Sequence, residues 1–286
     1  MIVVTGATGR LGGLTVERLL AQVPAGGVGV SVRSPEKAVD LAERGVRVRP
    51  GDYTDVDSLA ASFEGARVVL LVSAATFGPE GVAQHRTAIE AALRADVERV
   101  VYTSHQCAHP DTAFAAGQDH IATEGLLAGS GLAWTSLRDG FHASTVGFWL
   151  AQARDGVLRL PEDGPVSWTT HEDLADAAAA ILLADAPVDG PTPPLTGPEA
   201  LDATAVAVRA SELTGRDHRR EVVGDEEFVA GMVGHGVPQP VADALLTMFL
   251  ASRAGEFGVV DPYLATLVGH PPARVDATIS AAAATG

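Results

Sequence analysis

Three glycines at three-residue intervals, Gly6, Gly9 and Gly12, stand between a short β-branched run and an apolar pattern of helical spacing. Gly6 permits a tight turn, Gly9 lets the backbone approach a pyrophosphate, and Gly12 lets the helix pack closely on the sheet. The helix N-terminus offers unpaired N–H groups to phosphate. The pattern predicts a dinucleotide site formed by Gly6, Ala7, Thr8, Gly9, Arg10 and Leu11. The alternative is a strand-to-helix turn without a ligand.

The end of the second predicted strand indicates which dinucleotide is bound. Chains that bind NAD place an acid there to hold the ribose hydroxyls, whereas this chain has Arg33, followed by Lys37. The planar fork of Arg33 suits a phosphate, so the sequence favours NADP(H). The alternative is that both are solvated surface charges. Asp52, after the third strand, is a candidate partner for the adenine amino group or a cap for the following turn.

Small and polar residues follow the fourth and fifth predicted strands. Ligands of open α/β sheets bind at the carboxyl ends of the strands. Ser73, Ala74 and Ala75 are therefore predicted to pass the ribose and pyrophosphate of the coenzyme. Thr103 and Ser104 end the fifth strand near the expected nicotinamide, where Ser104 can orient the carboxamide or the substrate. The alternatives are a plain strand end and a hydroxyl that caps a local turn.

Aromatic and imidazole groups follow the sixth predicted strand. Phe141 and Trp149 are predicted to form a flat wall on which a substrate ring stacks, although aromatic residues at this spacing also suit a core. His142 is a candidate proton donor. His85, near the start of the helix after strand four, is a candidate for the substrate side.

His105, Cys107 and His109 alternate along one segment, and zinc accepts these ligand types. No fourth ligand is spaced as in a known zinc pattern. We therefore predict no metal site and interpret the loop 105–117 as lining of a substrate pocket.

The candidate site residues must be positioned by regular structure. Predicted strands alternate with predicted helices up to about residue 140. The pattern predicts an α/β fold, a Rossmann-type doubly wound parallel sheet, with a smaller, mostly helical C-terminal substrate lobe. We divide the chain into 1–140, the NADP(H)-binding domain, and 141–286, the lobe, from which some segments return to the sheet. Helices are predicted over Asp119–Ala128 and Asp173–Leu183, and a strand over Val166–Thr169.

Composition limits the classes of partner. The 286 residues include 36 acidic and 20 basic side chains, which give a net charge of −16 and disfavour nucleic acid and anionic membranes. The first predicted strand begins at residue 2, so we expect no signal peptide, and no apolar run reaches membrane-spanning length. With a single cysteine, we expect a cytoplasmic protein that binds a small molecule. Pairing of helices into a homodimer stays open.

Beyond these patterns, the chain resembles the NmrA-like group of atypical short-chain dehydrogenases. Within that group it is most similar to bacterial NADPH:quinone oxidoreductases that use neither flavin nor zinc. The segments that carry the resemblance are Thr5–Gly12, Val32–Lys37, Gly51–Tyr53, Tyr102–Ser104, Leu137–Gly140 and Leu195–Gly197, with Gln84–Arg86, Asp119–Glu124 and Leu267–Pro271 for the narrower match. The resemblance covers nearly the whole chain, and the loop 105–117 fits it least well.

Typical short-chain dehydrogenases use a Tyr-x-x-x-Lys pair to protonate a carbonyl oxygen, with a glutamate four residues after the lysine. If Glu124 is that glutamate, His120 takes the lysine position and Ala116 the tyrosine position. The resemblance then implies that His120 contacts the nicotinamide ribose or relays a proton. A quinone suits a site without the tyrosine, because its reduction gives a weakly basic anion that water can protonate.

The sequence thus favours an NADPH-dependent oxidoreductase, with His120, Ser104 and His142 as candidate catalytic residues, that passes hydride to a quinone-like acceptor. Two alternatives remain. One is a non-catalytic protein that senses NADP(H), and the other is a reductase of a specialised metabolite whose pocket is set by the loop 105–117.

Overall fold

The computed structural model describes residues 1–153 and 155–284. Within them the strands are β1 (Ile2–Thr5), β2 (Val28–Val32), β3 (Arg47–Pro50), β4 (Val68–Leu71), β5 (Arg99–His105), β6 (Ala133–Asp139), β7 (Val157–Leu160), β8 (Gly190–Pro191) and β9 (Arg219–Val222). The α-helices are α1 (Arg10–Leu20), α2 (Val39–Glu43), α3 (Val56–Phe63), α4 (Pro79–Arg94), α5 (Ala115–Ala128), α6 (Ser144–Gln152), α7 (His171–Leu183), α8 (Ala203–Thr214), α9 (Asp225–Gly234), α10 (Gln239–Arg253), α11 (Tyr263–Val268) and α12 (Asp276–Ala284).

Seven parallel strands form the main sheet in the order β3-β2-β1-β4-β5-β6-β8. The strand order reverses between β1 and β4, which is the switch point where doubly wound sheets bind ligands. The predicted Rossmann-type sheet and the helical C-terminal portion are therefore confirmed. Strand β8 comes from the C-terminal half of the chain and pairs with β6 through Thr135 and Gly190.

Burial explains why the central strands are almost continuously apolar. Strands β1, β2 and β4 are buried along their whole length, as parallel strands covered on both faces require. Helices α1, α7 and α11 contribute to the apolar cluster on one face of the sheet, and α3, α4 and α5 contribute to the cluster on the other. A third cluster lies in the C-terminal half, around Trp149, Trp168 and Phe249.

The C-terminal half differs in detail from the sequence prediction. Strand β7 was not predicted, and it pairs in parallel with β9 in a separate two-stranded sheet. The predicted strand Val166–Thr169 is wrong as a strand, because its residues form only isolated bridges, with Leu201 and with His142. None of the helices in the described part of the chain is long and apolar enough to cross a membrane.

In the glycine turn, the backbone of Gly6 packs most closely against Gly12. A Cβ added at Gly12 would lie 2.4 Å from the carbonyl oxygen of Gly6, and this backbone cannot move without shifting β1 or α1. We expect Gly12→Ala to destabilise the protein by about 1–3 kcal/mol, as overpacking does, which thermal unfolding will detect.

The matched control is Gly125→Ala in α5, where an added Cβ meets nothing within 4 Å. This change should stabilise the protein by about 0.5–1 kcal/mol, because alanine favours a helix interior. Equal melting temperatures for the two variants would contradict the packing argument.

Candidate active site

The turn between β1 and α1 is shaped to receive an anion. Gly6 adopts a φ of +61°, and its carbonyl accepts a hydrogen bond from the N–H of Gly9 over 2.9 Å. Helix α1 has no side-chain cap at Gly9 and no acidic residue in its first turn. No carboxylate from the first turn of α1 therefore competes for its N-terminal N–H groups, which suits a pyrophosphate site. The residues of this turn fit the coenzyme predicted for them.

Around this turn, Ala7 and Leu11 are buried, whereas Thr8 and Arg10 are exposed. Arg10 forms an ion pair of 3.2 Å with Glu172 in the first turn of α7. The N-termini of α1 and α7 therefore lie side by side at the carboxyl edge of the sheet.

Arg33 follows the end of β2 and is exposed, as a group that holds a phosphate at this edge must be. Lys37 is also exposed, in a short 3₁₀ segment. The carboxylate of Asp52 accepts hydrogen bonds of 2.8 Å from both the N–H and the hydroxyl of Thr54. These bonds, and the positive charge of Arg33, lower the pKa of Asp52. Asp52 thus closes the turn after β3, and an adenine contact remains a prediction.

His85 holds the chain after β4. Its Nε2 accepts a hydrogen bond of 2.8 Å from the N–H of Ala74, so its Nδ1 donates to Thr123, 2.9 Å away. Burial lowers the pKa of His85 to about 4, and the residue is only 3% exposed. His85 is therefore enclosed rather than open to a substrate. Its Nε2 positions the backbone that is predicted to pass the coenzyme, and its Nδ1 anchors the ring to Thr123 on α5.

The same segment is tied to β5. The N–H of Ser73 donates to the hydroxyl of Thr103 over 2.8 Å, while Ala75 is exposed. The ends of β4 and β5 are thus joined next to the switch point. A coenzyme at this edge would meet backbone that is already ordered.

Ser104 points to Glu124, which is buried on α5 and only 4% exposed. Its hydroxyl donates to Oε1 of Glu124 over 2.8 Å, and the hydroxyl of Ser136 does the same. Arg138 on β6 binds the other oxygen over 2.8 Å. The hydroxyl proton of Ser104 is therefore already used in the hydrogen bond to Glu124. In this arrangement the hydroxyl oxygen can only accept a hydrogen bond from a ligand.

His120 lies one helical turn after Ala116, because α5 begins at Ala115, four residues before the predicted start. Its Nδ1 is 2.8 Å from the hydroxyl of Tyr102. Burial, aided by the nearby His85 and His142, lowers the pKa of His120 to about 3. The imidazole is therefore neutral at physiological pH. It can form a hydrogen bond, but it carries no charge of the kind that a lysine would supply.

His142 contacts a histidine that the sequence analysis missed. The ring centroids of His142 and His171 are 4.4 Å apart. Burial, followed by the charges of His171 and Arg10, lowers the pKa of His142 to about 4. His171 opens α7, and its buried Nδ1 has no hydrogen-bond partner within the described residues. Only the fold brings these residues together, since 28 positions separate them in the sequence.

An aromatic wall stands beside these histidines, and it consists of His105, Phe114, Phe141 and Phe257. The ring centroid of Phe141 lies 5.1 Å from that of Phe257 and 5.7 Å from that of Phe114. Trp149 is not part of this wall. It packs edge to face on Trp168, 5.3 Å away, within the C-terminal core. The sequence did not predict Phe114 and Phe257 as part of this wall, because no local pattern connects them with Phe141.

The three residues considered for a metal site diverge. The Nδ1 of His105 is 2.9 Å from the sulfur of Cys107, whereas His109 faces Glu256 at 3.3 Å. In residues 1–153 and 155–284, no group of three or more histidine, cysteine and acidic side chains is arranged to hold a metal ion.

The arrangement as a whole combines an anion-binding turn, neutral imidazoles and an aromatic wall along one edge of the sheet. Known proteins share the fold that carries this arrangement. Residues 6–185 match the model of a family described as NAD(P)H-binding. The chain is 33% identical over 286 residues to quinone oxidoreductase 2 of Escherichia coli, with 98% of each chain covered. It is 30% identical over 278 residues to an oxidoreductase of Aspergillus flavus with an NmrA-like family domain, with 94% and 90% covered.

The solved structures agree with the sequence comparisons. The crystal structure of the Escherichia coli NADPH-dependent quinone oxidoreductase QOR2 in complex with NADPH matches with a TM-score of 0.92 and 31% identity. The match covers 98% of this chain and 99% of that one. The chain therefore belongs to the NAD(P)H-binding, NmrA-like family of oxidoreductases.

Proposed function

We propose that the protein is an NADPH-dependent oxidoreductase that reduces quinone-like acceptors without a tyrosine–lysine pair. The observation that carries the proposal is the neutral His120, one turn after Ala116, whose ring lies 6.2 Å from that of His105 in the aromatic wall. The relative from Escherichia coli, whose structure was solved with NADPH, supports the choice of coenzyme and acceptor.

The coenzyme, when bound, supplies a hydride. The protein contributes binding and orientation: the turn at Gly6–Gly12 receives the pyrophosphate at the N-terminus of α1, and Arg33 receives the phosphate on the ribose. The hydrogen bond from Ala74 to His85 holds the segment after β4. The hydrogen bonds from Ser104 and Arg138 to Glu124 hold the ends of β5 and β6. An acceptor ring that stacks on Phe141 and Phe114 is then held flat for transfer.

The lowered pKa values of His85, His120 and His142 suit this acceptor, because none of the three carries an imidazolium proton at neutral pH. Reduction of a ketone forms a strongly basic alkoxide, which needs a proton donor such as tyrosine. Reduction of a quinone forms a weakly basic hydroquinone anion, which water can protonate after it leaves. Positioning then supplies most of the rate enhancement.

A protein that only senses NADP(H) is the second candidate. It is favoured by the hydrogen bond that commits the Ser104 proton to Glu124, because this bond removes the obvious hydroxyl donor near the expected nicotinamide. A reductase of a specialised metabolite, with a pocket shaped by the loop 105–117, is the third candidate, and it shares the chemistry of the first.

Turnover separates these candidates. We expect NADPH absorbance to fall when substituted benzoquinones and naphthoquinones are added, and to stay constant with simple aliphatic ketones. NADPH binding without consumption across the quinone panel would favour the sensor. Slow quinone turnover together with faster reduction of larger polar acceptors would favour the metabolite reductase.

The choice of coenzyme depends on Arg33. We expect Arg33→Asp to weaken NADPH binding by roughly 30-fold, because a charge-assisted bond to phosphate is worth about 2 kcal/mol, and to leave NADH binding within about threefold. Isothermal titration calorimetry measures both affinities. The control, Arg216→Asp, makes the same change of charge at an exposed position in the C-terminal half and should preserve the preference. An unchanged preference in Arg33→Asp would remove the argument for NADP(H).

The neutral histidines predict how rate and stability depend on pH. Since the pKa values of His85, His120 and His142 lie at about 3 to 4, kcat/KM for a quinone should be flat between about pH 6 and pH 8. Below about pH 6.5 the unfolded chain binds protons that the folded protein does not. The unfolding free energy should therefore fall by about 1.4 kcal/mol for each such histidine with every pH unit of acidification below that point.

The His85→Gln variant, which keeps an acceptor and a donor at this site, should lose stability less steeply on acidification than the wild type. Thermal melts at pH 7 and pH 5 measure this difference. An inflection of kcat/KM near pH 6.5 would show instead that a histidine of ordinary pKa takes part in catalysis.

A further inference from the structure

His105 is the last residue of β5, one position after Ser104 and paired in register with Asp139 at the end of β6. It therefore lies at the carboxyl edge of the sheet, where the proposed acceptor and the nicotinamide meet. The residue is 9% exposed, so its neighbours largely enclose it. The proposed mechanism leaves this imidazole unused.

The hydrogen bonds of His105 determine which ring nitrogen carries the proton. The backbone N–H of Cys107, which can only donate, lies 3.3 Å from Nδ1, and the sulfur of Cys107 lies 2.9 Å from the same atom. Nδ1 is therefore the acceptor, and the proton of the neutral ring is on Nε2. Within the described residues Nε2 has no hydrogen-bond partner, so its N–H is left for a bound molecule.

Packing holds this N–H in one orientation. The ring of His105 stands edge to face against Phe141 at 5.4 Å and Phe257 at 5.5 Å, and it lies 5.3 Å from Phe114. It is nearly parallel to the ring of His120, with 6.2 Å between centroids. The aromatic wall thus carries one polar donor, and that donor lies next to the residue in the lysine position.

The charge state suits a donor that does not ionise. Burial, and then the proximity of His120 and His142, lowers the pKa of His105 well below its ordinary value. A neutral imidazole in a site of low polarity can stabilise a developing negative charge by a hydrogen bond, and it needs no reorganisation during the reaction.

We propose that the Nε2–H of His105 donates a hydrogen bond to the acceptor oxygen that becomes negative on reduction. His105 is then a catalytic residue, and the acceptor class is planar conjugated diones whose reduced form is an aromatic, weakly basic oxyanion. This inference rests on the proposed function.

The step balances without a further reactant. A hydride, with two electrons, passes from NADPH to the quinone and leaves NADP⁺ and the hydroquinone monoanion. His105 keeps its proton, so the ring is neutral before and after the transfer. Water then supplies the proton that completes the hydroquinone.

The test compares a neutral ligand with an anionic one on the same ring. The probes are a naphthoquinone and its hydroxy-substituted relative, which is an anion at neutral pH, and binding to the NADP⁺-saturated protein is followed by calorimetry. We expect His105→Phe, which keeps an aromatic ring, to weaken binding of the anion roughly 10- to 100-fold. Binding of the neutral naphthoquinone should change less than about threefold.

Two further variants make the result specific. His105→Gln, whose amide can also donate, should recover part of the loss. His235→Gln changes an exposed histidine at the C-terminal end of α9, and it should bind both probes as the wild type does. In turnover assays, the fall in kcat for His105→Phe should be larger for quinones whose hydroquinone anions are more basic, which a packing role would not produce.

Equal losses for both probes and for all acceptors would overturn the proposal and assign a packing role to His105. Wild-type binding of the anion by His105→Phe would also overturn it. Failure of the proposed function is distinguishable, because a wild-type protein that selects the anion through His105 but consumes no NADPH would be a sensor with this binding site intact.

Discussion

The buried carboxylate of Glu124 is the interaction on which the edge of the site depends. It joins α5 to the ends of β5 and β6 through Ser104, Ser136 and Arg138. A carboxylate that is 4% exposed is stable only when it is paired and hydrogen-bonded, and removal of one partner of such a pair costs about 3–5 kcal/mol. The network therefore holds the three elements in one arrangement, and it does so at the place where the nicotinamide is expected.

Rigid strand ends matter because the chain offers little acid–base chemistry. Burial lowers the pKa of His105, His120 and His142, and in each case a neighbouring histidine lowers it further. Neutral donors and aromatic surfaces suit the proposed role of holding a flat acceptor against a coenzyme, because they position a ring without supplying a proton. This property agrees with the proposed transfer to an acceptor that forms a weakly basic anion.

The aromatic wall shows how the C-terminal half contributes to the site. Phe257 lies after α10, while Phe114 and Phe141 follow β5 and β6. The loop that carries Phe114 is anchored to the same C-terminal segment, because Oε1 of Glu256 accepts a hydrogen bond of 2.8 Å from the N–H of Ala113. Segments more than 100 residues apart in the sequence therefore form one surface. Substitutions in the loop 105–117 can change that surface while the sheet stays intact.

The sequence by itself determined the glycine turn, the alternation of strands and helices, and the arginine after β2. These features are local, since each depends on backbone freedom, on periodicity or on a residue at a fixed distance from a strand. Tertiary structure decided the rest. It placed Trp149 in the C-terminal core. It set His85 in a hydrogen bond with the backbone N–H of Ala74, and it brought His171 into contact with His142. It also decided the charge of the histidines, because desolvation depends on atoms that the fold collects from distant parts of the chain.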